Sequence, residues 1–140
     1  MIDMRVLFLC TGNSARSQIA EALLRHLSKG RIDVVSAGSA PAPEVHPLTK
    51  VTLKEKYGID ASMLRPKAAS TFVGQPFDAV ITVCDAAAEA CPTWPGAKMI
   101  VHWSIQDPAA VQGANAQRRA FDAVATELET RLTRWLASGD

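Results

Sequence analysis

The chain has 140 residues, of which 48% are hydrophobic and 21% are charged, as is ordinary for a soluble globular protein. Its 15 basic and 14 acidic side chains leave a formal net charge of +1, which argues against a nucleic-acid partner or a charged membrane surface, because both usually need a basic face. No apolar run is long enough to span a membrane and the N-terminal run is too short for a secretory signal, so we expect one cytoplasmic domain over residues 1–140.

The first predicted elements are a strand and a helix joined by a polar turn. Residues 5–10 form a continuous apolar run, which is typical of a strand buried on both faces. After the turn, apolar residues recur at three- and four-residue spacing, which indicates an amphipathic helix. The residues on this apolar stripe are Ile19, Ala20, Leu23, Leu24 and Leu27.

The rest of the chain repeats this alternation. Residues 32–36 predict a second strand, and Pro47 is well placed to begin a helix that runs to about Tyr57. Two more strands are predicted at 78–83 and 98–102. A long last helix is predicted from an apolar stripe of Phe121, Val124, Ala125, Leu128, Leu132, Trp135 and Leu136. Such alternation predicts a single-domain α/β fold with a doubly wound, four-stranded parallel sheet flanked by helices.

The turn after the first strand has the composition of an anion-binding loop. In open α/β sheets, ligands bind at the carboxyl ends of the strands, where loop amides and a helix N-terminus face one point. Gly12 permits a close approach of the backbone, and Asn13 tolerates the left-handed conformation that such a loop needs. The residues expected to hold an oxyanion are Thr11, Gly12, Asn13, Ser14, Ala15 and Arg16.

Cys10 ends the first strand and lies in the same positive field. A helix N-terminus and a nearby arginine stabilise a thiolate, which is the nucleophilic form of cysteine. Arg16 can offer two parallel N–H groups to an oxyanion, and the Ser17 hydroxyl can bond the sulfur or cap the helix. The residues therefore predict nucleophilic attack by Cys10 on a tetrahedral oxyanion.

The loop Cys10-Thr11-Gly12-Asn13-Ser14-Ala15-Arg16-Ser17 resembles that of the low-molecular-weight tyrosine phosphatase superfamily and, within it, of the thioredoxin-coupled arsenate reductases. The resemblance spans nearly the whole chain. The further segments that fall in the family's order are residues 35–38, 58–60, 83–84, 102–103 and 107–109. It implies the phosphotyrosine phosphatase I-like fold of that superfamily and the reduction of arsenate to arsenite.

The resemblance also implies how the reaction proceeds. Asp107, which precedes Pro108, matches the general acid that protonates the departing oxygen while Cys10 attacks arsenate. Cys84 then attacks the Cys10 sulfur and arsenite leaves. Cys91 attacks Cys84 in turn, and thioredoxin reduces the resulting disulfide.

The spacing of Cys84 and Cys91 sets a condition for that disulfide. If the stretch between them were helical, its seven steps would hold the two Cα atoms about 10 Å apart. A disulfide needs roughly 4.4–6.8 Å between them. The Ala-rich stretch must therefore unwind or loop out, and we expect it to act as a switch.

Two positions depart from the pattern of relatives. Many carry a second cysteine where this chain has Ala15. Some bind potassium behind the loop; Asn13, Glu21 and Ser36 match three of those ligands, and the fourth position falls near Lys67. The resemblance thus implies a potassium ion or the Lys67 ammonium in its place, with no tightly bound cofactor otherwise.

Other functions stay open. A phosphatase that hydrolyses phosphate monoesters would need only Cys10, Arg16 and Asp107, although Tyr57 is the only tyrosine and the paired tyrosines common in that branch are missing. A non-enzymatic oxyanion sensor would bind arsenate without turnover. No metal site is predicted, because the closely spaced cysteine pair of zinc sites is absent. Thioredoxin is the favoured partner, but relatives linked to glutaredoxin use a similar loop.

Overall fold

A four-stranded sheet lies at the centre of the computed structural model, which describes residues 4–85, 87 and 93–138. The strands are β1 (Met4–Cys10), β2 (Ile32–Gly38), β3 (Ala79–Thr82) and β4 (Ile100–His102). Their order across the sheet is β2-β1-β3-β4, and every neighbouring pair is parallel. This arrangement confirms the predicted doubly wound α/β architecture.

The direction in which strands are added reverses beside β1. The chain places β2 on one side of β1, and β3 and β4 on the other. Leu9 pairs with Thr82 in this register, so the loops that follow β1 and β3 leave the sheet side by side. Open α/β sheets bind their ligands in the crevice at such a reversal. The fold therefore brings Cys10 and Cys84 to the same edge of the sheet.

Three α-helices that flank the sheet lie wholly within the described residues. They are α1 (Arg16–Leu27), α2 (Pro47–Tyr57) and α3 (Ala114–Ser138), with short 3-10 helices at Ala69–Phe72 and Pro108–Ala110. The Nδ1 atom of His46 accepts a hydrogen bond from the Leu48 amide at the start of helix α2. The helix ends at Tyr57 and is capped by Gly58, whose φ of 68° is left-handed. Among the described residues, no helix is both long enough and apolar enough to cross a membrane.

Helix α3 buries most of the stripe that its sequence predicts. The buried residues of the stripe are Phe121, Val124, Ala125, Leu128, Leu132 and Trp135. Each large apolar side chain buried in this way contributes about 1.5–3 kcal/mol. The prediction is wrong for Leu136, which is 39% exposed, because it lies at the edge of the stripe in the last turn of the helix.

The two later strands are shorter than the sequence predicts. The predicted strand at 78–83 is shortened at both ends, to residues 79–82. At its start, the Asp78 carboxylate accepts a hydrogen bond of 2.7 Å from the Arg5 amide. Lys98 lies beside β3, with its amide 3.0 Å from the Phe77 oxygen, but the regular ladder begins only at Ile100. These differences leave the order and direction of the strands unchanged.

Candidate active site

The loop of residues 11–15 turns its carbonyl groups toward the following segment. Backbone amides within residues 39–46 donate to four carbonyl oxygens of residues 10–14, at 2.8–3.2 Å. Because these carbonyls point outward, the loop amides converge on the opposite side and form an anion-binding concavity. Asn13 has the left-handed φ of 51° that this curvature needs. No described side chain caps α1 at Ala15, so the first-turn amides also remain available to an anion.

The Cys10 sulfur lies at the base of this loop. The side chain is 3% exposed. The Asn13 amide donates to the sulfur at 3.2 Å, and the Ser17 hydroxyl lies 2.7 Å from it. Both contacts stabilise negative charge on the sulfur when they donate hydrogen bonds to it.

The orientation of the Asn13 side chain decides which way the Ser17 hydroxyl points. The backbone amide of Lys67 donates to Asn13 Oδ1 at 2.8 Å, so Asn13 Nδ2 faces Ser17 and Ser36, at 2.8 and 2.9 Å. An amide nitrogen can only donate, so Ser17 accepts from Asn13 and keeps its own proton for the Cys10 sulfur. Of the two roles predicted for Ser17, it takes the bond to sulfur, whereas Ala15 occupies the N-cap position.

Arg16 and Asp107 meet across the mouth of the loop. The Arg16 guanidinium donates to the Ile105 carbonyl at 3.1 Å and lies 3.9 Å from Asp107 Oδ2. The other oxygen, Asp107 Oδ1, accepts from the Ala109 amide at 3.0 Å. One carboxyl oxygen is therefore anchored and the other faces the site. A nucleophile, a guanidinium and a carboxyl group in this order can displace an oxygen from a tetrahedral oxyanion.

Cys84 contacts the same loop from the end of β3. Its sulfur lies 3.5 Å from Thr11 Oγ1 and accepts a hydrogen bond from the Ala87 amide at 3.4 Å. The side chain is buried, and both Cys10 and Cys84 are free thiols. The predicted position of Cys84 beside the Cys10 loop is therefore the position it occupies. Cys91 lies outside the described residues, so its place in a disulfide stays a prediction.

The four residues of the predicted cation site also lie together behind the loop. Ser36 links Asn13 to Glu21, because its hydroxyl accepts from Asn13 and donates to Glu21 Oε1 at 2.7 Å. The Lys67 ammonium lies 3.5 Å from the same Glu21 oxygen and donates to the Arg65 carbonyl at 2.8 Å. A tethered cation therefore faces the buried Glu21 carboxylate.

Gln18 is a residue of the site that the sequence pattern did not single out. It is fully buried. Its Nε2 atom lies within 2.8–3.1 Å of the carbonyl oxygens of Asn13 and Arg65 and of Asn13 Oδ1. Gln18 thus holds the loop against the segment that leads to Lys67. In the sequence, the one sign of this role is that Gln18 is polar and directly precedes the apolar stripe of α1.

Replacing Gly38 with alanine is expected to displace the loop. A Cβ atom at position 38 would lie 2.4 Å from the Thr11 carbonyl oxygen and 3.0 Å from the Asn13 amide nitrogen. Relieving this overlap should lower the free energy of unfolding by about 1–3 kcal/mol. It should also reduce kcat/KM by about a hundredfold, because the loop amides move out of place. Urea unfolding and steady-state kinetics measure the two effects.

Gly30→Ala is the matched control for Gly38→Ala. Gly30 has a φ of 76°, and no atom lies within 4 Å of the point that a Cβ atom would occupy there, so alanine is strained without touching the loop. Gly30→Ala should lose stability and keep its activity. If Gly38→Ala lost only stability, as the control does, the close packing of Gly38 on the loop would not matter for catalysis.

Comparisons with known proteins agree with this geometry. Residues 5–139 match the family model described as low molecular weight phosphotyrosine protein phosphatase. An arsenate reductase of Halalkalibacterium halodurans is 37% identical over 135 residues, which cover 96% of each chain. A solved arsenate reductase in the phosphate binding state has a TM-score of 0.81 at 28% identity and covers 96% of this chain and 97% of its own.

The description of a second solved structure names a reductant. The thioredoxin-dependent arsenate reductase of Corynebacterium glutamicum has a TM-score of 0.77 at 32% identity. The match covers 98% of the present chain and 62% of the C. glutamicum protein. The present chain is therefore similar to proteins that reduce arsenate and, in that one case, to a protein that depends on thioredoxin.

Proposed function

Since the chain belongs to the low molecular weight phosphotyrosine protein phosphatase family, we propose that it is an arsenate reductase. The main support for this proposal is the contact between the Cys84 sulfur and Thr11 Oγ1. Hydrolysis of a phosphate ester needs only Cys10, Arg16 and Asp107, whereas reduction needs a second thiol within reach of the first. The similarity to arsenate reductases supports the same substrate.

In the first step, Cys10 captures arsenate. The loop amides and the Arg16 guanidinium bind its oxygens, and the Cys10 thiolate attacks the arsenic atom. A sulfur–arsenic bond forms while one arsenic–oxygen bond breaks. Asp107 supplies the proton with which that oxygen leaves as water. The Ser17 hydroxyl supports this step by stabilising the thiolate before it attacks.

In the second step, two electrons pass to arsenic. Cys84 attacks the Cys10 sulfur, so a disulfide forms between these residues as the sulfur–arsenic bond breaks. The electron pair of that bond stays with arsenic, which leaves as arsenite. The two thiols are oxidised by two electrons, and arsenic(V) is reduced to arsenic(III).

In the third step, Cys91 regenerates the nucleophile. Its thiolate attacks the Cys84 sulfur, which transfers the disulfide to Cys84 and Cys91 and frees Cys10. Thioredoxin then reduces this second disulfide by the same exchange. We place the reaction in the cytoplasm, because there the thioredoxin system keeps thiols reduced.

The test of the proposed function is the steady-state rate of arsenite formation with two reductants. We expect multiple turnovers with thioredoxin, thioredoxin reductase and NADPH, and much slower turnover with glutathione and glutaredoxin. Strong hydrolysis of p-nitrophenyl phosphate without arsenite formation would assign the chain to the phosphatases instead. Arsenate binding without turnover in either system would indicate an oxyanion sensor.

We also propose that the Lys67 ammonium takes the place of a potassium ion behind the loop. It faces the buried Glu21 carboxylate at 3.5 Å. Lys67→Met should lower kcat/KM by about two- to fivefold, the effect of losing a partly exposed ion pair. Added potassium should then restore the variant and leave the parent protein unchanged. The rate is measured against potassium at constant ionic strength.

Lys98→Met is the control for the Lys67 substitution. Lys98 pairs with Asp78 at 3.2 Å on the surface, and its side chain is 80% exposed. The control should change neither the rate nor its response to potassium. Strong stimulation of the parent protein by potassium would mean that an ion, and not Lys67, fills the site.

A further inference from the structure

His102 joins the ends of two strands to the residue that follows Cys84. Its Nδ1 atom lies 2.7 Å from the Thr82 hydroxyl, and its Nε2 atom lies 2.9 Å from Asp85 Oδ1. Thr82 ends β3 and is buried, and it pairs with His102 in the sheet register. The imidazole is therefore bonded to the sheet through Thr82 and to the carboxylate of Asp85.

The direction of these two hydrogen bonds follows from the chemistry of the carboxylate. Hydrogen bonds from His102 and Ser104, followed by the charges of His102 and Arg16, lower the pKa of Asp85. An ionised carboxylate only accepts, so His102 Nε2 carries the proton that it donates. In the neutral imidazole, Nδ1 is then an acceptor for the Thr82 hydroxyl. Asp85 thereby selects the tautomer, and the Thr82 hydroxyl, which can donate or accept, adapts to it.

Asp85 directly follows Cys84 and lies in the turn that the Cys84 side chain contacts. Residues 85 and 87 have helical backbone, and the Ala87 amide donates to the Cys84 sulfur at 3.4 Å. The Cys84 side chain therefore caps the turn that Asp85 begins. An anchor on Asp85 fixes this turn and, with it, the orientation of the sulfur toward Thr11.

We propose that His102 is a positioning residue for Cys84, which it holds toward the Cys10 loop through the hydrogen bond to Asp85. The inference rests on the proposed arsenate reduction, in which Cys84 attacks the Cys10 sulfur. His102 touches neither the oxyanion nor the reacting sulfur atoms in this role. It acts on the second step of the reaction and not on the first.

The hydrogen bond between His102 and Asp85 is accessible to water. The Asp85 side chain is 73% exposed and that of His102 is 37% exposed, so water can replace either partner at little cost. Because the bond is exposed, its loss is expected to change the rates measured at Cys84 severalfold and no more.

The first experiment measures how well Cys84 is protected, and it needs no arsenate. Cys10→Ser and Cys91→Ser together leave Cys84 as the only cysteine of the original three. Its alkylation by iodoacetamide is measured on the high-pH plateau, where every variant is thiolate. We expect alkylation about threefold faster when His102→Ala or Asp85→Ala is added, because an exposed pair is lost and the turn opens more often.

Asp85→Asn is the matched control for this experiment. The asparagine keeps an acceptor oxygen for His102 Nε2 and removes only the charge, so its alkylation rate should equal that of the parent. Faster alkylation in Asp85→Asn would contradict the proposal that the hydrogen bond between His102 and Asp85 holds Cys84 in place. Equal rates in all variants would overturn the proposal, as would a retarded reaction in His102→Ala.

The second experiment measures the transfer step itself. In Cys91→Ser, a single turnover ends at the disulfide between Cys10 and Cys84, with one arsenite released. His102→Ala and Asp85→Ala should each slow this release about threefold, and the double variant should be no slower than either, since both remove one interaction. Hydrolysis of p-nitrophenyl phosphate, which does not use Cys84, reports whether the Cys10 loop is intact.

The two experiments separate the proposal from the function on which it rests. If Cys84 alkylation responds as expected but no variant releases arsenite, the positioning role stands and arsenate reduction fails. If the parent reduces arsenate while alkylation and release are unchanged in His102→Ala, the reduction stands and the positioning role fails.

Discussion

Replacing Cys10 with serine is expected to abolish arsenate reduction and phosphate ester hydrolysis together. Both reactions begin with attack by the Cys10 sulfur, and a serine hydroxyl at this site is a far weaker nucleophile. The loss should be at least about a thousandfold in kcat, as for the removal of other enzymatic nucleophiles. It is measured by arsenite formation with the thioredoxin system and by release of p-nitrophenol.

Binding of phosphate to Cys10→Ser serves as the control for its fold. Cys10 is 3% exposed, and serine changes one buried atom while the loop amides and Arg16 remain. Calorimetry should therefore show phosphate bound with similar affinity in the variant and the parent. If the variant bound phosphate normally and still reduced arsenate, Cys10 would not be the nucleophile.

Replacing Cys84 with serine is expected to separate the two reactions. Arsenate reduction should fall to background, because a hydroxyl cannot form the disulfide that supplies the electrons. Hydrolysis of p-nitrophenyl phosphate should stay within about threefold of the parent, because the ester is cleaved by Cys10, Arg16 and Asp107. The two assays used for Cys10→Ser measure this contrast.

The contacts of Cys84 make serine a conservative replacement. A serine hydroxyl can accept the Ala87 amide hydrogen bond, as serine does at helix N-caps, and it can also bond Thr11. Unfolding by urea should therefore change little. Sustained arsenite formation by Cys84→Ser would mean that an external thiol or Cys91 attacks Cys10 directly, and the order of the relay would be wrong.

Much of the fold could be predicted because it depends on residues that are close in sequence. The apolar run of residues 5–10 and the stripe of α1 have different periods, and each period belongs to one type of secondary structure. The left-handed residue Asn13 and the position of Cys10 at a strand end follow from the same short segment. Cys84 could be placed near Cys10 because parallel strands end at a common edge.

Contacts between distant segments could not be predicted in this way. The close approach of Gly38 to Thr11 and the bond from His102 to Asp85 depend on the register of neighbouring strands. The burial of Gln18 depends on where residue 65 passes. The exposure of Leu136 likewise depends on where the core ends along α3. Local periodicity does not contain this information.

The hydrogen bond from the Lys67 amide to Asn13 has a consequence for protein engineering. Asn13 Oδ1 is oriented by a backbone group 54 residues further along the chain, and this orientation decides whether the Ser17 proton reaches the sulfur. Transplanting the eight residues from Cys10 to Ser17 into another scaffold would carry over the cysteine and the arginine without that orientation. A working graft must also supply an outside amide at the position that Lys67 occupies in this protein.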